Sequence, residues 1–398
     1  MSSAAPSVQL RKPLERAIAR GHPWIYRDAL RPFEAAPGSP VTVLDRRGRF
    51  LARGLAERGA IGVRVWTTRD EPVDAALIAL RLEASMTRRD ALALRETDAL
   101  RLVHGEGDQL PGLVLDRYAD HAALKLDGAA IAAWRATLVD LLTPLLAARG
   151  VEVLLERSGR GAGKQTRALL GALPTDPVEV REHGMLLLAD LCQGQKTGLF
   201  LDHRGSRRRV RELAEGRSVL NLFGYTGAFS VAAGLGGATR VVTVDSARPA
   251  IAAAQQNWEL NGLPAERHRG VSEPCERFLD RERQRFDLVI SDPPSFAPNK
   301  RSLPKALAAY RALHRSAIAR VTPGGLLLAA SCSSHVSARA FEQNLEQAAR
   351  AARCRLEPVD RWGAAADHPV LPAFPEGAYL KVVLARVHLS QGGRKRPS

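Results

Sequence analysis

Residues 217–237 decide the fold and read "RSVLNLFGYTGAFSVAAGLGG". A short apolar run leads into a turn with two glycines, and small and apolar residues follow at helical spacing. A buried strand, a tight turn and a helix in this order are typical of a parallel sheet covered by helices.

The same pattern repeats towards the C-terminus. Residues 238–262, "ATRVVTVDSARPAIAAAQQNWELNG", predict a second strand and a helix that ends at Gly262. Three further apolar runs follow, "FDLVISDPPSF", "GGLLLAASCSS" and "AYLKVVLARV". Buried strands alternating with helices predict a parallel, doubly wound α/β domain of the Rossmann type over residues 193–398.

Two smaller domains are predicted upstream. Residues 1–72 read as a β-rich domain, with a hairpin around Asp45-Arg46-Arg47-Gly48. Residues 73–192 read as a central α+β module of the form strand-strand-helix-strand-strand. Its last two strands are expected from "VEVLLERS" and "HGMLLLADL".

Composition limits the class of protein. The 398 residues carry a net charge of +16, and basic residues outnumber acidic ones about two to one in residues 1–70, which favours a nucleic-acid partner. The four cysteines form no CxxC pair, so neither a disulfide framework nor a metal site is expected. The chain lacks an apolar run long enough to span a membrane and a signal-peptide core, so a cytoplasmic protein is expected.

Two features predict a nucleoside-containing cofactor at the carboxyl ends of the strands. Gly224 and Gly227 lie in the first strand-to-helix turn, and Asp245 ends the next strand, where an acidic residue can hold ribose hydroxyls. Each feature alone is common, as a plain turn or a helix cap. The turn lacks the G-x-G-x-x-G pattern that seats a pyrophosphate, which favours S-adenosylmethionine over a dinucleotide.

Two further features predict the chemistry. Asp292-Pro293-Pro294-Ser295-Phe296 follows the next strand, and its rigid backbone and carboxylate suit the edge of a planar base. Cys332 ends the following strand, where a thiolate can add to an electron-poor carbon. The simpler interpretations are a rigid turn and a buried packing cysteine. The other three cysteines, Cys192, Cys275 and Cys354, lack such a placement and read as structural.

Together these segments resemble a known family. "LNLFGYTGAFS", "VVTVDSA", "QNWELNGL", "SDPPSFAPNK" and "LLAASCSSHVS" follow in order, with "QGQKTGLFLDHR" upstream and "AADHPVLPAFPEGAYLK" near the end. They resemble the PUA-domain-containing class I methyltransferases of bacteria that make 5-methylcytosine in 23S rRNA. "RGHPWIYRDAL" resembles the start of the RNA-binding PUA domain of that family.

The resemblance implies S-adenosylmethionine as cofactor and assigns roles to individual residues. Cys332 would be the nucleophile, and Asp292 would contact the target base and the cofactor. Pro293, Pro294 and Phe296 would line the base site. The cofactor would lie against Lys196, Thr197, Phe223, Gly224, Tyr225, Thr226, Gly227, Asp245 and Glu273.

The sequence therefore predicts methylation of cytosine C5 in 23S rRNA, with no metal and no membrane partner; a homodimer is compatible with it. One alternative keeps the fold and methylates an amine of guanine or adenine, with Cys332 structural. A second is a non-catalytic RNA-binding ribosome-assembly factor. A dehydrogenase is disfavoured by the missing phosphate-binding turn.

Overall fold

The computed structural model describes residues 6–159, 163–297 and 299–390, which form two compact units. Neither unit is continuous in sequence. The first contains the residues up to Glu182, Ala189–Leu201 and Ala366–Gly377. The second contains His183–Leu188, Asp202–Ala365 and the residues from Ala378 onward.

The first unit begins with a five-stranded sheet in the order β1-β3-β4-β5-β2. Its elements are β1 (Ser7–Gln9), α1 (Glu15–Ala19), β2 (Trp24–Tyr26), β3 (Pro40–Leu44), β4 (Phe50–Ala56) and β5 (Ile61–Thr67). The hairpin of β3 and β4 is confirmed: Asp45 accepts hydrogen bonds from the N–H groups of Arg47 and Arg49.

A second five-stranded sheet has the order β10-β9-β8-β7-β6. Its elements are α2 (Ala75–Asp90), β6 (Ala99–His104), β7 (Leu113–Tyr118), β8 (His121–Leu126), α3 (Ala129–Ala132), α4 (Arg135–Ala147), β9 (Val153–Ser158) and β10 (Gln165–Leu170). The predicted strand "HGMLLLADL" is instead β12 (Met185–Ala189), which pairs with β11 (Val178–Glu182) in a separate two-stranded sheet. Its predicted place in the central sheet is wrong, because β10 already pairs with β9 there.

Buried ion pairs anchor the later segments of the first unit to this second sheet. Arg89 of α2 pairs with Asp108 and also donates to the C=O of Asp367 at 2.8 Å. The Asp367 carboxylate accepts from the N–H of Arg101, whose guanidinium pairs with Asp116 of β7. Because each buried charge has a partner, the network avoids the cost of an isolated buried ion.

The second unit contains a seven-stranded sheet in the order β15-β14-β13-β16-β17-β19-β18. Its elements are α5 (Arg204–Leu213), β13 (Ser218–Leu222), α6 (Ala228–Leu235), β14 (Arg240–Asp245), α7 (Arg248–Leu260), β15 (His268–Ser272), α8 (Cys275–Arg281), β16 (Phe286–Ser291), α9 (Leu303–Ile318), β17 (Val321–Ser331), α10 (Ala338–Ala351), β18 (Cys354–Trp362) and β19 (Lys381–Leu389). No helix in the described part of the chain is long and apolar enough to cross a membrane.

The predicted parallel sheet needs one correction. The five neighbouring strands β15, β14, β13, β16 and β17 are parallel to one another. In contrast, β19 runs antiparallel to β17, and β18 runs antiparallel to β19. A parallel pair needs a crossover connection, usually an α-helix. Within the described residues, no α-helix lies between β18 and β19, so the chain returns antiparallel.

Strand alternation divides the core of the second unit between two faces of the sheet. Leu220 and Leu222 of β13 join a cluster with Phe278 of α8, Tyr310 of α9 and Phe341 of α10. The opposite face packs on helices α5 to α7, through residues that include Val219, Val210, Phe229 and Trp258. A sheet buried on both faces explains the continuous apolar runs of its strands.

Buried histidines are expected to make the protein less stable as the pH falls. Burial lowers the pKa of His268 and His314 to about 4 and that of His104 to about 2. Between the unfolded pKa of about 6.5 and pH 4, the unfolded chain binds protons that the folded chain does not. The free energy of unfolding should therefore fall, by up to about 1.4 kcal/mol per pH unit for each such histidine.

Urea unfolding at about pH 7 and about pH 5 checks this expectation. His268→Gln should reduce the pH dependence, because Gln does not titrate. His388→Gln is the matched control, since His388 is 32% exposed on β19. An equal pH dependence in wild type and His268→Gln would contradict the role given to His268.

Candidate active site

Three parallel strands of the second unit end side by side. Leu222 at the end of β13 pairs with Val244 of β14 on one side and with Ser291 of β16 on the other. The next residues along the three strands are Phe223, Asp245 and Asp292. At a strand spacing of about 4.8 Å, the two aspartates flank the β13 turn, with their backbones about 10 Å apart.

Cys332 lies at the same edge of the sheet, where the carboxyl ends of the parallel strands meet, and directly follows the next strand, β17. Ser291 pairs with Ala329 of β17, so Cys332 lies about 7 Å beyond the level of Asp292 along the strand direction. Lys381 begins the antiparallel strand β19 and pairs with Ser331. The strand registers therefore bring Asp245, Asp292, Cys332 and Lys381 to one edge of the sheet.

The turn after β13 has an unusual backbone. Phe223, Tyr225 and Gly227 have φ angles of 57°, 45° and 76°, a region that non-glycine residues seldom adopt. The N–H of Gly224 donates to the C=O of Val244 at 3.0 Å, and that of Gly227 donates to the C=O of Gly224 at 2.8 Å. Backbone strain of this kind persists only where its surroundings enforce it, and it is concentrated at ligand sites.

Close packing requires both glycines of the turn. A Cβ at Gly224 would lie 2.4 Å from Cγ2 of Thr243, and a Cβ at Gly227 would lie 2.7 Å from Cβ of Ala254. The C=O of Thr226 accepts a hydrogen bond from the Asn257 side chain at 2.8 Å. The turn is therefore fixed against β14 and α7.

Asp245 holds the turn from the neighbouring strand. Its Oδ2 accepts from the N–H of Tyr225 at 3.0 Å, and its Oδ1 accepts from the N–H of Ala247 at 2.9 Å. A carboxylate offers about four acceptor positions, so both oxygens retain capacity for a further donor. Two adjacent ribose hydroxyls are donors of the required kind.

Glu273 follows β15 and lies next to Asp245, to whose C=O its N–H donates at 3.0 Å. Its carboxylate forms an ion pair with Arg281 of α8. The hydrogen bond from Arg281 lowers the pKa of Glu273. The Glu273 side chain is thus committed in part to α8.

A series of hydrogen-bonded polar side chains connects the strands and helices that carry the turn. Asn221 donates to Ser230 at 2.9 Å, and the Ser230 and Thr243 hydroxyls are 2.6 Å apart. Thr243 contacts Nε2 of His268 at 2.8 Å, and Nδ1 of His268 contacts Gln255 at 2.9 Å. These hydrogen bonds join β13, α6, β14, α7 and β15, and both hydroxyls and both imidazole nitrogens have a partner.

Asp292 directly follows β16. The next two residues are Pro293, which is buried, and Pro294, which is exposed. Oδ2 of Asp292 lies 3.2 Å from Nε2 of His203. The Phe296 ring packs on Tyr310, with ring centroids 4.7 Å apart. The turn is therefore anchored at both of its ends.

Cys332 is partly exposed, and the residues on both sides of it carry hydroxyl groups that contact other hydroxyl groups. The Ser295 and Ser333 hydroxyls are 2.8 Å apart, and Tyr310 lies 3.1 Å from Ser333 and 3.0 Å from Ser331. Ser295 therefore links the Asp292-Pro293-Pro294 turn to Ser333, and Tyr310 of α9 contacts the residues on both sides of Cys332.

Lys381 provides a cation beside this segment. Its Nζ donates to the C=O groups of Ser333 at 2.6 Å and Tyr379 at 2.7 Å. Burial lowers the pKa of Lys381 to about 8, and negative charge on Cys332 opposes that shift. A cation so placed favours the thiolate, which is the nucleophilic form of cysteine.

Lys196 and Thr197 belong to the first unit, whereas the other predicted site residues belong to the second. The Thr197 hydroxyl donates to Asp116 at 2.6 Å and contacts the Tyr118 hydroxyl at 2.8 Å, and Thr197 is 2% exposed. Lys196 has a φ angle of 51°, and its Nζ lies 4.6 Å from the centroid of the Phe200 ring. The Thr197 side chain therefore serves the packing of the first unit.

Sequence reasoning missed His203 and Lys381. His203 lies in the quoted segment "QGQKTGLFLDHR", so a signal for it was present. Lys381 is the last residue of the quoted segment "AADHPVLPAFPEGAYLK", so a signal for it was present too, but only the antiparallel register of β19 brings it to this edge.

The fold and site now define the class of protein. A family model described as S-adenosylmethionine-dependent methyltransferase matches residues 123–386, and a PUA-like domain model matches residues 8–68. The chain belongs to the S-adenosylmethionine-dependent methyltransferases, with a Rossmann-like domain and an N-terminal PUA-like domain, and S-adenosylmethionine is its cofactor.

The chain is similar along nearly its whole length to proteins named ribosomal RNA large subunit methyltransferase I. The Erwinia tasmaniensis protein is 37% identical over 389 residues, which cover 95% of this chain and 98% of that one. The Salmonella arizonae protein is 37% identical over 393 residues, with coverage of 96% and 98%.

Solved structures support the fold. A Streptococcus mutans protein described as a SAM-dependent methyltransferase superposes with a TM-score of 0.83 at 22% identity, covering 96% of this chain and all 100% of that one. A methyltransferase solved in complex with SAH superposes with a TM-score of 0.85 at 23% identity, with the same coverage.

The residues at the edge of the sheet fit this cofactor. The N–H groups of Gly224, Tyr225 and Gly227 are all engaged within the protein, so the turn is poorly suited to a pyrophosphate. Asp245 offers acceptors for ribose hydroxyls, and carboxylates at the two sides of the turn suit a cationic sulfonium. Among the described residues, no group of three or more His, Cys, Asp or Glu could hold a metal ion.

Proposed function

We propose that this protein methylates C5 of a cytosine in 23S rRNA through a covalent bond between Cys332 and C6. The observation that carries the proposal is the register that brings Cys332 to the same sheet edge as Asp245 and Asp292. The names of the relatives, which specify large-subunit ribosomal RNA, support the substrate.

The chemistry needs a nucleophile because C5 of cytosine is a poor carbon nucleophile. The Cys332 thiolate forms a bond to C6, and the electron pair of the C5–C6 double bond moves to C5. C5 forms a bond to the methyl carbon, and the electron pair of the broken S–CH3 bond stays on sulfur as a neutral thioether. Loss of the C5 proton to a base and departure of the Cys332 thiolate then restore the aromatic ring.

S-adenosylmethionine supplies the methyl group as a substituent of its sulfonium. Asp245 holds the ribose, the turn from Phe223 to Gly227 positions the methionine portion, and Glu273 approaches the adenine. Asp292 accepts from the exocyclic amino group of cytosine, and Pro293, Pro294 and Phe296 shape the base site.

RNA binding fits the charge of the chain and its PUA-like domain. With a net charge of +16, the protein is expected to hold the phosphate backbone, and residues 1–72 are proposed as the RNA-binding domain. Cys332 can reach C6 only if the cytosine is unstacked, so the target is a flipped or single-stranded base. Affinity should fall as the salt concentration rises.

The experiment that tests this function combines purified protein, methyl-labelled S-adenosylmethionine and large-subunit rRNA from cells that lack the gene. The RNA is digested to nucleosides, and the labelled nucleoside is identified by mass spectrometry. We expect 5-methylcytidine. A label on an amino group of guanosine or adenosine would overturn the proposal in favour of amine methylation, and RNA binding without methyl transfer would favour an assembly factor.

A further inference from the structure

His203 makes a direct contact with the residue proposed to hold the target base. It lies just before α5, is 2% exposed, and places Nε2 3.2 Å from Oδ2 of Asp292. The Phe229 ring packs against the imidazole at 5.4 Å between centroids, edge to face. The imidazole is therefore confined, and its second nitrogen must find a partner inside the protein.

Ser206 and Trp362 provide that partner. Nδ1 of His203 lies 3.2 Å from the Ser206 hydroxyl, which accepts a hydrogen bond from the Trp362 indole N–H at 2.8 Å. An indole nitrogen can only donate, so its proton occupies one lone pair of the hydroxyl oxygen. The hydroxyl proton is then available for Nδ1.

The other end of the chain fixes the direction of these bonds. An ionised carboxylate only accepts hydrogen bonds, so Nε2 must carry a proton to bond Asp292. If Nε2 carries the imidazole proton, Nδ1 is an acceptor and Ser206 donates to it. All four side chains then form one directed series from Trp362 through Ser206 and His203 to Asp292.

We infer that His203 is a positioning residue that orients the Asp292 carboxylate towards the target base; this rests on the proposed function. The Nε2–H group holds Oδ2 of Asp292 and leaves Oδ1 to accept from the amino group of cytosine. The series fixes which oxygen faces the base and prevents the carboxylate from rotating. Within the described part of the chain, the contact with His203 is the ion pair that restrains the Asp292 carboxylate at the end of its strand.

Steady-state kinetics of two variants at one position tests the inference. His203→Leu removes the donor, and kcat should fall roughly 10- to 100-fold, because a small misplacement of a reacting group costs that much. The KM for S-adenosylmethionine should not change, since Asp245 is untouched. His203→Gln retains an N–H donor of similar reach and should restore kcat to within a few-fold of wild type. Equal loss in both variants, or no loss in His203→Leu, would overturn the inference.

A second measurement does not depend on catalysis. Nitrogen-15 NMR of histidine-labelled protein at about pH 8 reports which ring nitrogen carries the proton. His203→Gln assigns the signal by its loss, and Ser206→Ala should weaken the preference for one tautomer. A proton on Nε2 alone supports the series; a proton on Nδ1, or on both nitrogens, overturns it.

The two proposals can fail separately. Wild-type protein that methylates a base other than cytosine would overturn the proposed function and leave the NMR result intact. Wild-type protein that makes 5-methylcytidine, with His203→Leu equally active, would overturn only the role of His203. His388→Gln controls for the effect of losing any histidine, because His388 lies on β19 and pairs with Glu357.

Discussion

Cys332→Ala abolishes methyl transfer to RNA if the thiolate adds to C6. The loss should be on the order of 10,000-fold or more, as for other enzymes that lose their nucleophile. Binding of S-adenosylmethionine should stay within a few-fold, because Asp245 and the turn after β13 remain. Labelled methyl incorporation into rRNA measures the first quantity, and calorimetric titration measures the second.

RNA that contains 5-fluorocytosine sharpens this prediction. Fluorine cannot leave C5 as a proton does, so the bond between Cys332 and C6 is trapped and survives denaturant. The adduct should be absent from Cys332→Ala and present in Cys354→Ala, which removes a buried cysteine of β18. An adduct that persists in Cys332→Ala, or methyl transfer by that variant, would make Cys332 a packing residue.

Asp245→Ala is expected to weaken S-adenosylmethionine binding on the order of 100-fold, from lost ribose contacts and a released turn. The carboxylate supplies the acceptor for the N–H of Tyr225, whose φ angle of 45° is strained. Without that acceptor, the turn can relax away from the conformation that receives the cofactor. Calorimetric titration with S-adenosylmethionine measures the effect.

Asp280→Ala is the matched control, because Asp280 is an exposed aspartate on α8. It should bind the cofactor as wild type does. Cofactor affinity in Asp245→Ala equal to that of the control would show that neither the ribose nor the turn depends on this carboxylate. A melting temperature near that of wild type separates lost binding from unfolding.

The strands that the sequence predicted well are the buried ones. β13, β14, β16 and β17 each contain a buried apolar run, because both faces of their sheet are covered. Asp245 ends β14, and Asp292 and Cys332 directly follow β16 and β17. The positions of Asp245, Asp292 and Cys332 could therefore be predicted together, although their roles remain proposals.

The strands that the sequence did not reveal are the two outermost strands of the seven-stranded sheet. β18 contains Pro358 and alternates charged with apolar residues, which is tolerated only at an edge. β15 is largely exposed, and its sequence "HRGVS" carries little strand signal. Where such a strand pairs depends on contacts far apart in sequence, which local patterns do not contain.

The same reason explains why two residues of the site were not predicted. His203 meets Asp292, and Lys381 meets Ser333, across long stretches of chain. Each contact depends on how helices and strands pack together rather than on spacing within a motif. The contacts that such side chains make from a neighbouring element are therefore found only once the fold is known.

The discontinuous course of the chain has a consequence for attempts to produce the two units separately. The polypeptide leaves the first unit after Glu182, returns to it at Ala189, and visits it again between Ala366 and Gly377. No single cut can release either unit whole. A fragment that begins near residue 193 would carry Ala366–Gly377 without the Arg89 and Arg101 that anchor it, and would lack the strand β12. Each unit can therefore be obtained whole only from a chain that contains both.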